Sequence, residues 1–239
     1  MKVKADKIAI VAALERELRP LRRKIGKGAI YLVTGMSKEG VMRELPRFIE
    51  RHRPEIIILT GFAGGLQPGL ESGVLLLATA LQHESAHEGI SLENRFFVLA
   101  AAALEAAQIP FQRGKLLTVD RIVGGPEEKN RLWKDFSASA VDMEAWWATQ
   151  VVDRPMICLK AILDPAEQAL PWGLASAVAV RSQRWDWRWA LSCAPGEWPE
   201  LLRLARAAKR ATGALAEAIA CVIAALARSQ TQTQTVEVA

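Results

Sequence analysis

The sequence predicts an α/β fold on a largely parallel sheet, and three observations carry that expectation. Short apolar runs recur along the first two thirds of the chain, helix-like segments separate them, and strand signal stops after about residue 162. Unbroken apolar runs, as opposed to alternating ones, mark strands covered on both faces, which is the habit of parallel sheets. Lys7 to Ala13 is the first such run, with Ile8, Ile10 and Val11, and a charged helical segment begins near Glu15. Ile30 to Val33 follows as a strand. Gly40 to Arg51 then places Val41, Leu45, Phe48 and Ile49 on one helical face, and Glu55 to Thr60 returns to strand. Right-handed crossovers make such successive strands parallel.

The alternation continues through a strand at Val74 to Leu81, an alanine-rich helix at Arg95 to Gln108 and a strand at Gly114 to Val119. Pro126 to Asp135 reads as helix, Ala140 to Val141 as a short strand, Glu144 to Val152 as helix and Met156 to Ile162 as the last strand. From about Pro165 the pattern is helix and loop: a tryptophan-rich stretch at Trp185 to Trp189, a loop at Ala194 to Pro199, and a long helix from Leu201 to Arg228. The apolar residues from Leu215 to Leu226 include Glu217 and fall short of the roughly 20 residues a membrane span requires, so a packing helix is expected. One domain is expected over residues 1–228, with 165–228 its helical part, and the polar TQTQT tail at 229–239 is expected to be disordered.

Composition narrows the function. The 239 residues are 51% apolar and 24% charged, within reach of one large α/β domain. The N-terminal apolar run is interrupted at once by Glu15 and Glu17, unlike an export signal, so a cytoplasmic protein is expected. Cys158, Cys193 and Cys221 are odd in number and widely spaced, which implies neither a disulfide framework nor a thiolate metal site. A net charge of +5 invites an anionic partner. The basic residues are dispersed, however, with no aromatic RNA-binding motif and no zinc-finger spacing, so no nucleic-acid partner is expected.

Chemistry in such folds gathers beyond the C-terminal ends of strands, where Glu17, Glu144 and Asp164 fall. Singly, each has an ordinary alternative: Glu17 as a solvated helix charge, Glu144 as a first-turn residue favoured by the helix dipole, and Asp164 as a turn residue before Pro165. Their surroundings say more. IAIVAALERELRPL at Ile8 to Leu21, TGFAGGLQPGLESGVLLLAT at Thr60 to Thr79, AVDMEA at Ala140 to Ala145 and KAILDPAEQ at Lys160 to Gln168 stand in one order. Together they resemble the purine nucleoside phosphorylase and methylthioadenosine/S-adenosylhomocysteine nucleosidase superfamily.

That resemblance implies a three-layer α/β/α sandwich around a mixed, largely parallel central sheet, a homodimer, and no cofactor. It implies that Asp164 is the acid that protonates the purine, that Glu17 handles the attacking water, and that Glu144 and Met143 hold the ribose. Ala63 and Gly64 would let backbone approach the ligand, and the backbone around Ile122 and Val123 would border the base. Breaking an N-glycosidic bond leaves positive character on the sugar and negative charge on the base, which is why such residues are needed. Phosphate, held by Arg16 or Arg121, is the alternative nucleophile, although a carboxylate at Glu17 repels a phosphate dianion.

The chain also departs from the nucleosidase pattern. Leu163 stands where those enzymes carry a hydroxyl residue, Phe62 where they carry serine, and Ser37 where a glycine is usual near Gly35. These departures, with DPAEQALP at Asp164 to Pro171 and PELLRLARAAKRA at Pro199 to Ala211, resemble the hopanoid-associated branch, which is implicated in removing adenine from adenosylhopane. A lipid-linked nucleoside is then the implied substrate. Trp172, Trp185, Trp187 and Trp189, interleaved with Arg181, Arg184 and Arg188, are the aromatic and cationic mixture suited to peripheral membrane contact, or alternatively a cover on the sheet. The alternatives are an ordinary methylthioadenosine/S-adenosylhomocysteine nucleosidase or a true phosphorylase, and, from another class, a non-catalytic nucleoside- or lipid-binding protein.

A competing motif needs an answer. His83, Glu84 and His87 spell H-E-x-x-H, the zinc-protease signature, which works only on a helix that aligns both imidazoles. Here it follows a strand directly, Gly89 comes two residues later, and the remaining histidine, His52, lies upstream, so no metal is expected.

Overall fold

A computed structural model describes residues 4–170 and 198–228. The tryptophan- and arginine-rich stretch at 172–189, Cys193 and the tail at 229–239 lie outside the described residues. Eight strands form one mixed sheet: β1 (Ile8–Ala12), β2 (Ile30–Val33), β3 (Ile56–Gly65), β4 (Leu75–His83), β5 (Ile90–Ser91), β6 (Gln112–Thr118), β7 (Ala140–Asp142) and β8 (Met156–Asp164). Among the described residues six helices cover it: α1 (Glu15–Ile25), α2 (Lys38–His52), α3 (Arg95–Ala106), α4 (Pro126–Phe136), α5 (Ala145–Thr149) and α6 (Trp198–Arg228). The pairings β1–β2, β1–β3, β3–β8, β4–β6 and β6–β7 are parallel, whereas β3–β7, β4–β5 and β4–β8 are antiparallel.

Strand alternation sorts the core into two layers. Ile8, Ile10, Ile56, Ile58, Leu75, Leu77, Ile157 and Leu159 point to one face and pack with Leu18 and Leu21 of α1, Phe96 and Leu104 of α3, and Leu215, Ile219 and Val222 of α6. Ala9, Val11, Ile57, Leu59, Leu76 and Cys158 point to the other, against Val41, Leu45 and Ile49 of α2 and Ala145 and Ala148 of α5. A third cluster joins Leu117, Val119 and Val141 to Leu132 of α4. Burying each large aliphatic side chain contributes about 1.5–3 kcal/mol, so the two faces account for why apolar runs on both parities were present.

Several boundaries differ from expectation. β3 runs to Gly65, not Thr60, because the glycine-rich stretch stays extended and pairs with β8 up to Asp164. β8 likewise continues past Ile162, so Asp164 ends the strand and does not lie beyond it. The short β5 was not foreseen. α5 ends at Thr149 instead of Val152, and Glu144 occupies its cap position with φ −128. α2 starts two residues earlier than expected because Ser37 caps it, its hydroxyl accepting from the Gly40 amide at 3.3 Å. α6 starts at Trp198, with Pro199 tolerated in its first turn.

The length argument against a membrane span also needs correcting, since Ala205–Arg228 is 24 residues of sufficient apolarity. The packing argument stands, because Ala211, Leu215, Ile219, Val222 and Leu226 of that helix are buried in the core.

Candidate active site

Glu17 sits in the first turn of α1 yet is only 4% exposed. Its carboxylate accepts two backbone amides, Leu14 at 2.8 Å and Phe62 at 2.9 Å, which fix it against the end of β3. The close approach requires a glycine. Gly61 has φ +117, and a Cβ there would stand 2.7 Å from Glu17 Oε1. Burial pushes the Glu17 carboxyl above its ordinary range, with Lys160 opposing.

Lys160 was not singled out in the sequence, although it begins the KAILD stretch. It is 3% exposed in the middle of β8, and its Nζ is 2.9 Å from Asp142 Oδ2. Burial alone would lower its pKa, but Asp142, Glu144 and Glu17 around it raise it overall. Asp142 in turn accepts from the Thr118 hydroxyl at 2.7 Å and from the Ala145 amide, so one carboxylate ties β6, β7, β8 and the start of α5 together. Glu144, two residues on, is part-buried beside this pair. Burial first and Asp142 second push its pKa up to about 8, against Lys160.

Asp164, 5% exposed, lines the same cavity as Glu17 and Glu144. The β3–β8 register slips between Ala63 and Gly64, which pair with Ile162 and Asp164, so Leu163 is an extra residue. Such a bulge re-aims the side chains beside it. Leu163 and Asp164 consequently both face the cavity, and Gly64 lies against the Asp164 carboxyl. Burial raises the Asp164 pKa to about 6, while Lys129 on α4 restrains the rise. Lys129 is fully buried and donates to Asp164 Oδ2 at 2.5 Å.

The cavity, about 140 Å³, brings together every residue the sequence had singled out for the nucleoside: Glu17, Ala63, Gly64, Ile122, Val123, Met143, Glu144 and Asp164. Arg16, Met36, Phe62, Asp142, Leu163 and Leu170 also line it, and the exposed surface of its walls is mostly apolar. The Arg16 guanidinium lies 5.7 Å from the Phe62 ring centroid, and burial lowers its pKa, with Glu17 opposing. Arg121 also lines the cavity, its guanidinium held between Glu84 at 2.7 Å and Glu128 at 2.8 Å.

The histidine motif has a different setting. His83 ends β4, residues 84–89 form turns and bends with no helix, and His87 is exposed, so the two imidazoles do not share a helical face. His83 Nδ1 is 2.7 Å from the Ser85 hydroxyl, and its ring packs on Trp147. Among the described residues no three His, Cys, Asp or Glu side chains converge as metal ligands.

Comparison with known proteins fits this geometry. The 5′-methylthioadenosine/S-adenosylhomocysteine nucleosidase of Bacillus anthracis is 25% identical over 199 residues, covering 67% of this chain and 86% of its own. The Neisseria meningitidis enzyme of the same name, solved with methylthio-immucillin-A, superposes with a TM-score of 0.70 at 18% identity, over 90% of this chain and 97% of its own. Futalosine hydrolase of Helicobacter pylori superposes at 0.67 with 20% identity, over 91% and 97%. These two structures share the fold. The family model described as the phosphorylase superfamily matches residues 7–170, so the chain belongs to that superfamily and is an enzyme of N-glycosidic bonds.

Proposed function

We propose that the protein releases adenine from a 5′-modified adenosine by hydrolysis, and that the modification is a large apolar group, as in adenosylhopane. The observation that carries the reading is the placement of Asp164, a buried carboxyl with raised proton affinity, in one cavity with Glu17 and Glu144. An acid whose pKa lies near working pH transfers protons efficiently in both directions. As the C1′–N9 bond breaks, its electron pair goes to the purine and Asp164 gives its proton to N7. Water attacks C1′, and Glu17 accepts the proton that water loses. Glu144 holds the ribose hydroxyls against Met143, and the backbone at Ile122 and Val123 flanks the base.

Two features favour water over phosphate. The Asp142 carboxylate lies beside Glu17 and Glu144, and Glu17 must be ionised to take a proton from water, a setting that disfavours a dianion. Arg121, one of the two arginines suited to hold phosphate, is already engaged by Glu84 and Glu128. The apolar 5′ group is favoured by Met36, Phe62, Leu163 and Leu170, which give the cavity an apolar wall beside its charged residues.

The test is chromatographic detection of adenine from methylthioadenosine, S-adenosylhomocysteine and adenosylhopane, each with and without phosphate. Preference for adenosylhopane without phosphate dependence is expected. A preference for methylthioadenosine would remove the lipid assignment, and strict phosphate dependence would remove hydrolysis. Asp164→Asn should abolish turnover, roughly a 10²–10⁴-fold loss, in a folded protein, and near-normal release would remove the acid assignment.

A further inference from the structure

Lys129 belongs to the first half of α4, in the run PEEKNRLWKDF, where a lysine after two glutamates reads as a solvated charge. Instead it is 0% exposed. Its position puts it on the same helical face as Leu132 and Trp133, three and four residues on, which pack into the sheet. The Nζ group donates to Asp164 Oδ2 at 2.5 Å, to the Pro165 carbonyl at 2.8 Å and to the Gln168 carbonyl at 2.9 Å. An ammonium has three protons, and each has one acceptor.

All three acceptors lie in residues 164–168, the segment that carries the proposed acid out of β8. An apolar residue would fill this site in the core without the desolvation that a lysine incurs. The contacts therefore point to a task at Asp164.

We propose that Lys129 is a positioning residue that fixes the Asp164 carboxyl and its following loop, and sets how readily that carboxyl gives up its proton. The inference rests on Asp164 being the general acid. When Asp164 passes its proton to the purine it becomes a carboxylate in an apolar wall, and Lys129 stabilises that charge while keeping all three of its own protons. Without Lys129 the buried acid would hold its proton too tightly. Among the described residues Lys129 is the charged group that acts on Asp164; the neighbours from β3 and β7 are Gly64 and Val141, neither titratable. Glu17, Glu144 and Lys160 act on one another, and Glu17 and Glu144 share the cavity with Asp164.

The experiment measures kcat and KM for adenine release across pH, using methylthioadenosine as the probe and the best substrate of the panel beside it, in wild type, Lys129→Met, Lys129→Arg and Asp164→Asn. Wild type should lose kcat as pH rises through the Asp164 titration. In Lys129→Met that alkaline fall should move up by roughly one to three pH units, as expected when an opposite charge in contact is removed. Its maximal kcat should drop about tenfold or more with KM little changed, and Lys129→Arg should restore part of the rate and the original fall. A Lys129→Met enzyme with wild-type kcat, or with reduced kcat but an unmoved profile, overturns the proposal. An active Asp164→Asn enzyme would instead overturn the acid assignment itself.

If Lys129→Met does not fold, infrared difference titration of wild type against Asp164→Asn reads the same carboxyl directly. Titration at about 6 is expected. A value near 4, or one above 8 as for an uncompensated buried carboxyl, overturns the proposal.

Discussion

Replacing Gly61 with alanine should separate the chemistry of Glu17 from its mere presence. The new Cβ would lie 2.7 Å from Oε1, 2.8 Å from Cδ and 3.0 Å from Oε2 of Glu17, all closer than unbonded atoms sit. A free carboxylate would swing away at little cost, but this one is 4% exposed and held by the Leu14 and Phe62 amides. Two penalties add. Alanine at φ +117 is strained by about 1–3 kcal/mol, and losing one hydrogen bond to a charged group costs about 1.5–3 kcal/mol. Stability should therefore fall by about 3–5 kcal/mol in urea unfolding.

Adenine release per folded molecule should fall roughly 10²–10⁴-fold, the usual contribution of a positioned base. Gly73→Ala is the control, because Gly73 has φ +94 but nothing within 4 Å of a built Cβ. It should show the strain of about 1–3 kcal/mol and normal kcat. Wild-type kcat in Gly61→Ala, or equal losses of rate in both variants, would refute the reasoning.

Three further outcomes follow from the charges. Glu144 keeps its proton up to about pH 8 in the folded chain but loses it near pH 4 when unfolded, so its stabilising contribution is full in acid and is lost as pH rises towards 8. Melting of wild type relative to Glu144→Gln should therefore worsen between pH 5 and pH 8, by roughly 2–4 kcal/mol. Lys160→Met leaves Asp142 and Glu144 without their cation and should destabilise by about 3–5 kcal/mol at pH 8, measured by denaturant unfolding. His83→Ala, and treatment of wild type with a chelator, should leave adenine release within about twofold, because His83 lies outside the cavity walls. A large loss on chelation would reopen the zinc reading.

The parts of the fold that the sequence made legible are those governed by local pattern. Apolar runs on both parities identified the strands because the sheet is covered on both faces, and Ile30–Val33 was read to the residue. Strand ends failed where pairing overrides composition: Gly61, Gly64 and Gly65 look like loop but are held extended by β8.

The residues that the sequence singled out and the fold gathers into one cavity, Glu17, Glu144 and Asp164 among them, lie inside recognisable stretches. Lys160 and Asp142 stood in the same stretches and were passed over, since nothing local shows that they meet 2.9 Å apart across strands. Lys129 had a usable signal, its spacing to Leu132 and Trp133, but its partner is 35 residues away. Long-range electrostatics of this kind leaves no periodicity to read.

The extra residue at Leu163 has a consequence for how this site can change over generations. Because a bulge places Leu163 and Asp164 on the same side, the leucine borders the ligand while its peptide unit sets the phase of the aspartate. Side-chain replacements at 163 are therefore free to retune what fits in the cavity without moving the acid. Deleting the position is a different event: the aspartate would follow Ile162 directly, keep its face beside Gly64, and lose the bulge that now shapes its approach to the cavity. One codon thus offers a fine adjustment through its side chain and a coarse one through the bulge itself, and only the second disturbs the seat of the aspartate.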